Sequence, residues 1–214
     1  GKGREAFSKH KICDFPSGHG LGFGDIDGDG RGEIILSTGF LKATDDPLHK
    51  EWIWHPEFDL GCASVPILVH DVNGDGLPDL IVGMAHNYGL AWYEQRKDSK
   101  GKRSWIKHDI DPTRSQYHDL QLVDIDNDGE LELITGQRYR AHCGNDPGEK
   151  DPIGLYYFKM DHGKFERVTL DYGDPSECSG AGIYFWVEDL NGNGWKDIVA
   201  PGKEGLYLFE NLGR

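Results

Sequence analysis

Four segments of the sequence place oxygen-bearing side chains at alternate positions of a glycine-bent loop: 25–34 (DIDGDGRGEI), 71–80 (DVNGDGLPDL), 124–133 (DIDNDGELEL) and 189–198 (DLNGNGWKDI). A hard cation such as Ca²⁺ takes about six to eight oxygen ligands at roughly 2.3–2.6 Å, and alternate carboxylate and amide oxygens on a tight loop meet that demand. The first loop offers the side chains of Asp25, Asp27, Asp29 and Glu33 and the carbonyl of Arg31. The same offsets give Asp71, Asn73, Asp75, Leu77 and Asp79, then Asp124, Asp126, Asp128, Glu130 and Glu132, then Asp189, Asn191, Asn193, Trp195 and Asp197. Carboxylates number four, three, four and two in chain order, so the fourth loop is expected to hold its ion most weakly. The acid falls at position nine, not twelve, and strand-like residues flank the loops, which excludes an EF-hand. Asp, Asn and Gly also dominate ordinary turns, but four loops of one grammar exceed what turn chemistry requires.

A second set of groups is titratable. His19 and His118 each lie six residues before the first loop aspartate of their repeat, while His86 and His142 follow the second apolar segment of theirs. In an antiparallel hairpin the start of one strand and the end of the next share an end, so these four are expected at the end opposite the calcium loops. Tyr88, Arg138, Tyr139 and Arg140 occupy the same post-strand segments. Imidazole and phenol at one rim suit general acid–base chemistry on a sugar: His removes a proton beside a carbonyl, Tyr or a second His protonates the leaving oxygen, and Arg holds an anion. The same histidines suit Zn²⁺. Taken singly, each His reads better as a strand-end cap or a carbonyl partner; the four on one rim are what bring function level with that reading. His10, His55 and His108 share one register and read as repeat packing, and His70 as a packing neighbour of Asp71.

The elements that position these groups repeat with the loops, whose first residues are 46, 53 and 65 positions apart. An apolar stretch precedes each loop (21–24, 66–70, 120–123, 184–187) and another follows it (33–36, 79–82, 132–134, 197–200). A third appears at 89–93, 154–158 and 205–209, and a fourth at 7–12, 52–55, 105–110 and 165–170. All read as short strands. Four strands per unit, repeated radially, make a β-propeller, and the sequence predicts an all-β single domain over 1–214 with about four four-stranded blades. Its repeats run about 13–58, 59–110, 111–170 and 171–214, with strand 7–12 closing the ring against 206–209. The first repeat shows no clear third strand in 40–50, where a loop is expected.

These loops and their flanking strands resemble the calcium-loop propeller repeats of the FG-GAP or VCBS type over nearly the whole chain. Residues 18–27 (GHGLGFGDID), 55–58 (HPEF), 65–71 (VPILVHD) and 89–95 (GLAWYEQ) are also similar to the propeller portion of aldos-2-ulose dehydratase-like proteins. Propellers of that kind have about seven blades, which makes a fragment of a larger ring the alternative architecture. The resemblance implies a carbohydrate lyase or dehydratase, with β-elimination on a keto-sugar or uronic acid carried by His19, His86, Tyr88, His118, Arg138 and His142. The alternative is a non-catalytic module that binds a glycan or protein.

Composition agrees with a folded β-rich chain. The 30 glycines accompany 24 aromatics (9 Phe, 9 Tyr, 6 Trp) that a disordered chain lacks. A net charge of −14 opposes a phosphate-backbone partner, so nucleic acid is not expected. No apolar run approaches the ~20 residues of a membrane helix. Cys13, Cys62, Cys143 and Cys178 form no Cys-x-x-Cys pair and permit two disulfides in any of three pairings. Calcium loops in this number suit extracellular or periplasmic calcium, so export is expected. Unpaired blade edges invite a second copy or further blades.

Overall fold

The computed structural model describes residues 7–14, 18–140, 142, 144–203 and 205–213, and they form four antiparallel sheets. The first is β1 (Leu21–Gly24), β2 (Glu33–Leu36), β3 (Gly39–Lys42) and β4 (Ile53–His55). The second is β5 (Leu68–His70), β6 (Asp79–Gly83), β7 (Tyr88–Lys97) and β8 (Arg103–Ser115). The third is β9 (Tyr117–Val123), β10 (Glu132–Gln137), β11 (Ile153–Asp161) and β12 (Lys164–Gly173), and the fourth β13 (Trp186–Glu188), β14 (Asp197–Pro201) and β15 (Leu206–Phe209). Each strand pairs with its chain neighbour, so every sheet is a meander, the blade of a propeller-like all-β fold. Among the described residues no helix is long and apolar enough to cross a membrane.

The blades stack because their middle strands are apolar on both faces, as expected of a sheet covered on each side. In β6, Leu80 and Val82 pack with Ile26, Ile35, Phe40 and Ile67 of the first blade and its junction, while Ile81 faces Leu120, Leu133 and Tyr156 of the third. Ile134 and Leu155 then meet Phe185, Ile198 and Ala200 of the fourth. Burial of each such side chain stabilises by about 1.5–3 kcal/mol.

β1 and the start of β5 lie so close that Gly22 bridges Ile67 directly, and the Ile67 N–H donates to the Leu21 carbonyl at 2.8 Å. A Cβ on Gly22 would lie 2.2 Å from the Ile67 carbonyl oxygen, which explains the glycine there. Gly22→Ala is expected to cost about 1–3 kcal/mol. A thermal melt should fall by roughly 3–10 °C; an unchanged melt would contradict this close approach.

Two expectations are corrected. The first blade has its third strand: β2 turns through Ser37 and Thr38 into β3, with Leu36 opposite Gly39, and β3 lies between β2 and β4. It lacks the aromatic signature of the other third strands, and its four residues bury Gly39, Phe40 and Leu41. Residues 7–12 form no strand and make no pairing with β15 among the described residues; the Ile12 carbonyl instead accepts from the Trp52 N–H at 3.3 Å. The fourth sheet therefore has three strands, and the ring is not closed by this segment. His10 consequently lies outside the shared register, whereas His55 stacks on its partner Phe40 at 4.6 Å and His108 on Trp92 at 4.5 Å.

One face of the fourth blade stays open. The row Leu68–Ile81–Trp92 of the second blade packs against the third, but the equivalent row Trp186–Val199–Leu208 leaves Trp186 56% and Leu208 59% exposed. Cys62 and Cys178 carry free thiols, exposed and buried respectively, so a two-disulfide framework does not form; Cys143 lies outside the described residues.

Candidate functional site

The loops join the first two strands of each blade. In three of them the first aspartate is gripped by three backbone N–H groups: Asp25 accepts from Gly28, Asp29 and Gly30 at 2.7, 3.1 and 2.8 Å, and Asp71 and Asp189 repeat the pattern. The grip needs a left-handed residue at the turn, which Gly28, Gly74 and Gly192 supply. The fifth position (Asp29, Asp75, Asp128, Asn193) closes an Asx turn by accepting from the N–H of Arg31, Leu77, Glu130 and Trp195.

The acid at position nine holds the loop to its blade. Glu33, Asp79, Glu132 and Asp197 are buried and accept from the N–H of Ile26, Val72, Ile125 and Leu190 at 3.0–3.1 Å. Asp79 and Asp197 spend their second oxygen on the N–H of Gln95 and Asn211. Burial pushes the Asp79 carboxyl up to about 6 and raises those of Glu33 and Glu132.

The third position differs between loops. Asp27 meets the ammonium of Lys42, which also reaches Asp29 at 2.7 Å, and Asp126 meets that of Lys159. Asn73 and Asn191 instead donate to Glu94 and Glu210, at 3.0 and 3.1 Å. Lys42 thus supplies the first loop with a tethered cation. Lys42→Met is expected to lower the melting temperature in chelator and to enlarge its rise on adding calcium; an unaltered calcium response would count against competition by Lys42.

The third loop fits Ca²⁺ best. Asn127 stands at its turn in place of glycine, and among the described residues Asp124 accepts only from Gly129 (3.1 Å) while Asp124 Oδ1 and Asp126 Oδ1 are buried without a hydrogen-bond partner. Asp124, Asp126 and Glu132 offer oxygens within 4.8 Å of one another, as do Asp25, Asp27 and Asp29. The structure therefore separates the first and third loops, which a carboxylate count treats alike.

At the opposite end, histidines from three blades meet. His19 precedes β1, His86 lies in the β6–β7 turn, His118 sits on β9, and a ring nitrogen from each lies within 4.8 Å of the other two. His86 Nε2 is 3.1 Å from His19 Nε2. His118 Nδ1 donates to the Ile183 carbonyl (3.1 Å), which leaves its Nε2 lone pair for the cluster; His86 Nδ1 lies 2.8 Å from Asp146 Oδ2 and 2.9 Å from Arg138 Nη2, and in the tautomer that donates to Asp146 its Nε2 lone pair also faces the cluster. Carbonyl and carboxylate partners on the far nitrogen are the arrangement that orients histidines toward zinc, so this donor set fits Zn²⁺. Burial lowers the pKa of His19 and, with the Arg138 charge second, pushes that of His118 down to about 4, keeping their rings neutral.

His142 stacks on His86 at 4.4 Å, with Nδ1 3.3 Å from Asp146 Oδ1, and Arg138 Nη2 lies 2.9 Å from His86 Nδ1. Tyr88 turns away: its hydroxyl donates to Asp151 at 2.7 Å, and it touches none of these imidazoles among the described residues. A cavity of about 620 Å³ adjoins the cluster, with Arg138, Tyr139, Arg140 and His142 on one wall and Ile183, Tyr184 and Lys203 on the other. Asp146, Tyr184 and Lys203 are absent from the site read in the sequence. Only Asp146 carried a signal there, as an acid four residues after His142.

Residues 71–135, from the second loop into β10, match the family model for an FG-GAP-like repeat. That stretch thus carries FG-GAP-type repeat sequence. No curated protein matches it, so the likeness to dehydratase propellers rests on the quoted sequence segments alone. The matched residues include the second loop, the third loop and His118, and so reach both ends of the fold.

Proposed function

We propose that this FG-GAP-type propeller acts on carbohydrate as a lyase or dehydratase, by β-elimination on a keto-sugar or uronic acid, with calcium bracing its loops in an extracellular or periplasmic setting. The supporting observation is the meeting of His19, His86 and His118 beside a cavity lined by His142 and Arg138, both of which touch His86. His19, His86 and His118 would hold Zn²⁺, which when bound polarises a carbonyl or carboxylate oxygen. His142, oriented by Asp146 and stacked on His86, takes the proton from the carbon beside that group. The C–H electron pair becomes the new C=C bond. The neighbouring C–O bond breaks toward its oxygen, which receives a proton from Tyr139 or Tyr184 in the cavity wall. Arg138 balances negative charge at the substrate.

The test is ultraviolet absorbance of an unsaturated product from keto-sugars and polyuronates. His142→Ala is expected to reduce kcat/KM by about 10²–10⁴-fold with an unchanged melt. A parent protein with no turnover favours the second reading, a glycan-binding module. That reading draws support from the exposed Tyr184–Trp186 pair, whose ring centroids are 5.8 Å apart.

A further inference from the structure

We infer that the ligand of the cavity is a sugar carboxylate, an oligouronate in preference to a neutral keto-sugar; this rests on the carbohydrate reading above and names its substrate class. The chain has 37 acidic and 23 basic residues. Yet the described residues lining the cavity include Arg138, Arg140 and Lys203 and no carboxylate. The charged side chains of the lining are therefore cationic in a molecule that is acidic as a whole, and a neutral sugar gives no reason for that contrast.

Arg138 carries the argument furthest. Its side chain is only 10% exposed, and its nearest carboxylate among the described residues, Asp146, is 3.9 Å away and already engaged by His86 and His142. Its other contacts are the Ala85 carbonyl and the Gln116 amide oxygen, both at 3.4 Å, and the imidazole of His86 at 2.9 Å. A buried guanidinium with so little direct counter-charge is costly, and burial accordingly lowers its pKa. A planar carboxylate entering the cavity would supply the missing charge in the fork geometry that arginine matches.

Two further features fit an anionic sugar. Arg140 and His142 both adopt left-handed backbone (φ +51° and +46°), an unfavourable conformation for such residues that tends to persist at binding sites. The Arg140 N–H is fixed there by the Glu149 carbonyl at 2.9 Å. Tyr139 and Tyr184 add aromatic faces for the sugar ring. A uronate also joins recognition to chemistry, since its carboxylate is bonded to C5. Loss of the C5 proton to His142 forms C4=C5, and the C4–O bond breaks with its electron pair on the leaving oxygen, which a cavity tyrosine protonates.

The experiment is calorimetric titration of the full chain with an oligogalacturonate, a neutral oligosaccharide of equal length and a sulfated one. Uronate is expected to bind at least tenfold more tightly than either. Its binding should weaken as salt is raised and fall at least tenfold in Arg140→Gln/Lys203→Gln. His142→Ala should retain uronate binding and lose turnover. Equal binding of neutral and uronate chains, preference for sulfate, indifference to the double substitution, or no binding of any probe would overturn the inference. Charge-dependent uronate binding without turnover in the parent would uphold it while removing the lyase reading.

Discussion

Asp111→Ala is expected to destabilise the protein by about 3–5 kcal/mol, because it strips the counter-charge from a buried network. The Asp111 carboxylate accepts from the Thr113 N–H and hydroxyl (3.0 and 2.8 Å), Arg114 Nη1 (2.8 Å), the Tyr117 hydroxyl (3.0 Å) and Arg167 Nη1 (3.1 Å). These partners lie on β8, β9 and β12, so one side chain fastens the second blade to the third. Arg114 and Arg167 also lie over the ring of Tyr156, at 5.5 and 5.4 Å, and Tyr117 is fully buried. At about 2–4 °C per kcal/mol for a chain of this size, the melt should drop by roughly 10 °C. A loss below about 1 kcal/mol would refute the network's role.

The same carboxylate sets an acid limit. Burial alone would raise its pKa, but the hydrogen bonds from Thr113, Arg114 and Tyr117 outweigh it and the net shift is downward from 3.8. A depressed folded-state pKa supplies stability that is present above the unfolded value and lost as pH falls through the folded one. The Asp111 contribution should therefore hold down to about pH 4 and vanish below it. Denaturant titrations of the parent and Asp111→Asn across that window should converge at the acid end; curves that stay parallel would contradict the linkage.

Calcium gives the second large effect expected. An ion at 100 times its Kd stabilises by about 2.7 kcal/mol per site, so millimolar Ca²⁺ should raise the melting temperature by roughly 5–10 °C over chelator for each site filled. Asp124→Ala should remove the largest single share, since Asp124 Oδ1 and Asp126 Oδ1 are the loop oxygens buried without partners. A melt indifferent to chelator would end the calcium reading. A response unchanged by Asp124→Ala would move the ion to another loop.

Most of the blade pattern was legible because loop and strands recur together: the sixth residue before a loop aspartate is His19 in one repeat and His118 in another, and both reach the same rim. Legibility failed where the period breaks. β3 is four residues long behind a two-residue turn, and without the glycine-aromatic signature it reads as loop. Asp146 lies in the insertion between β10 and β11, outside any strand register. Tyr184 falls in a stretch read as strand from 184, whereas β13 begins at Trp186 and leaves that tyrosine on the cavity wall. The position-nine acids show a different limit: a carboxylate that clasps an ion and one that anchors a backbone N–H are the same letter, and only the observed partners distinguish them.

The third-position contacts carry a consequence for how blades can be exchanged. Asp27, Glu33 and Lys42 in the first blade correspond to Asp126, Glu132 and Lys159 in the third, whereas Asn73, Asp79 and Glu94 correspond to Asn191, Asp197 and Glu210 in the fourth. Three coupled positions thus alternate with odd and even parity, so the unit that repeats these contacts spans two blades. A chimera exchanging blades of like parity keeps each donor opposite its acceptor. One exchanging unlike parity while leaving the third strand behind sets lysine against asparagine and glutamate against aspartate.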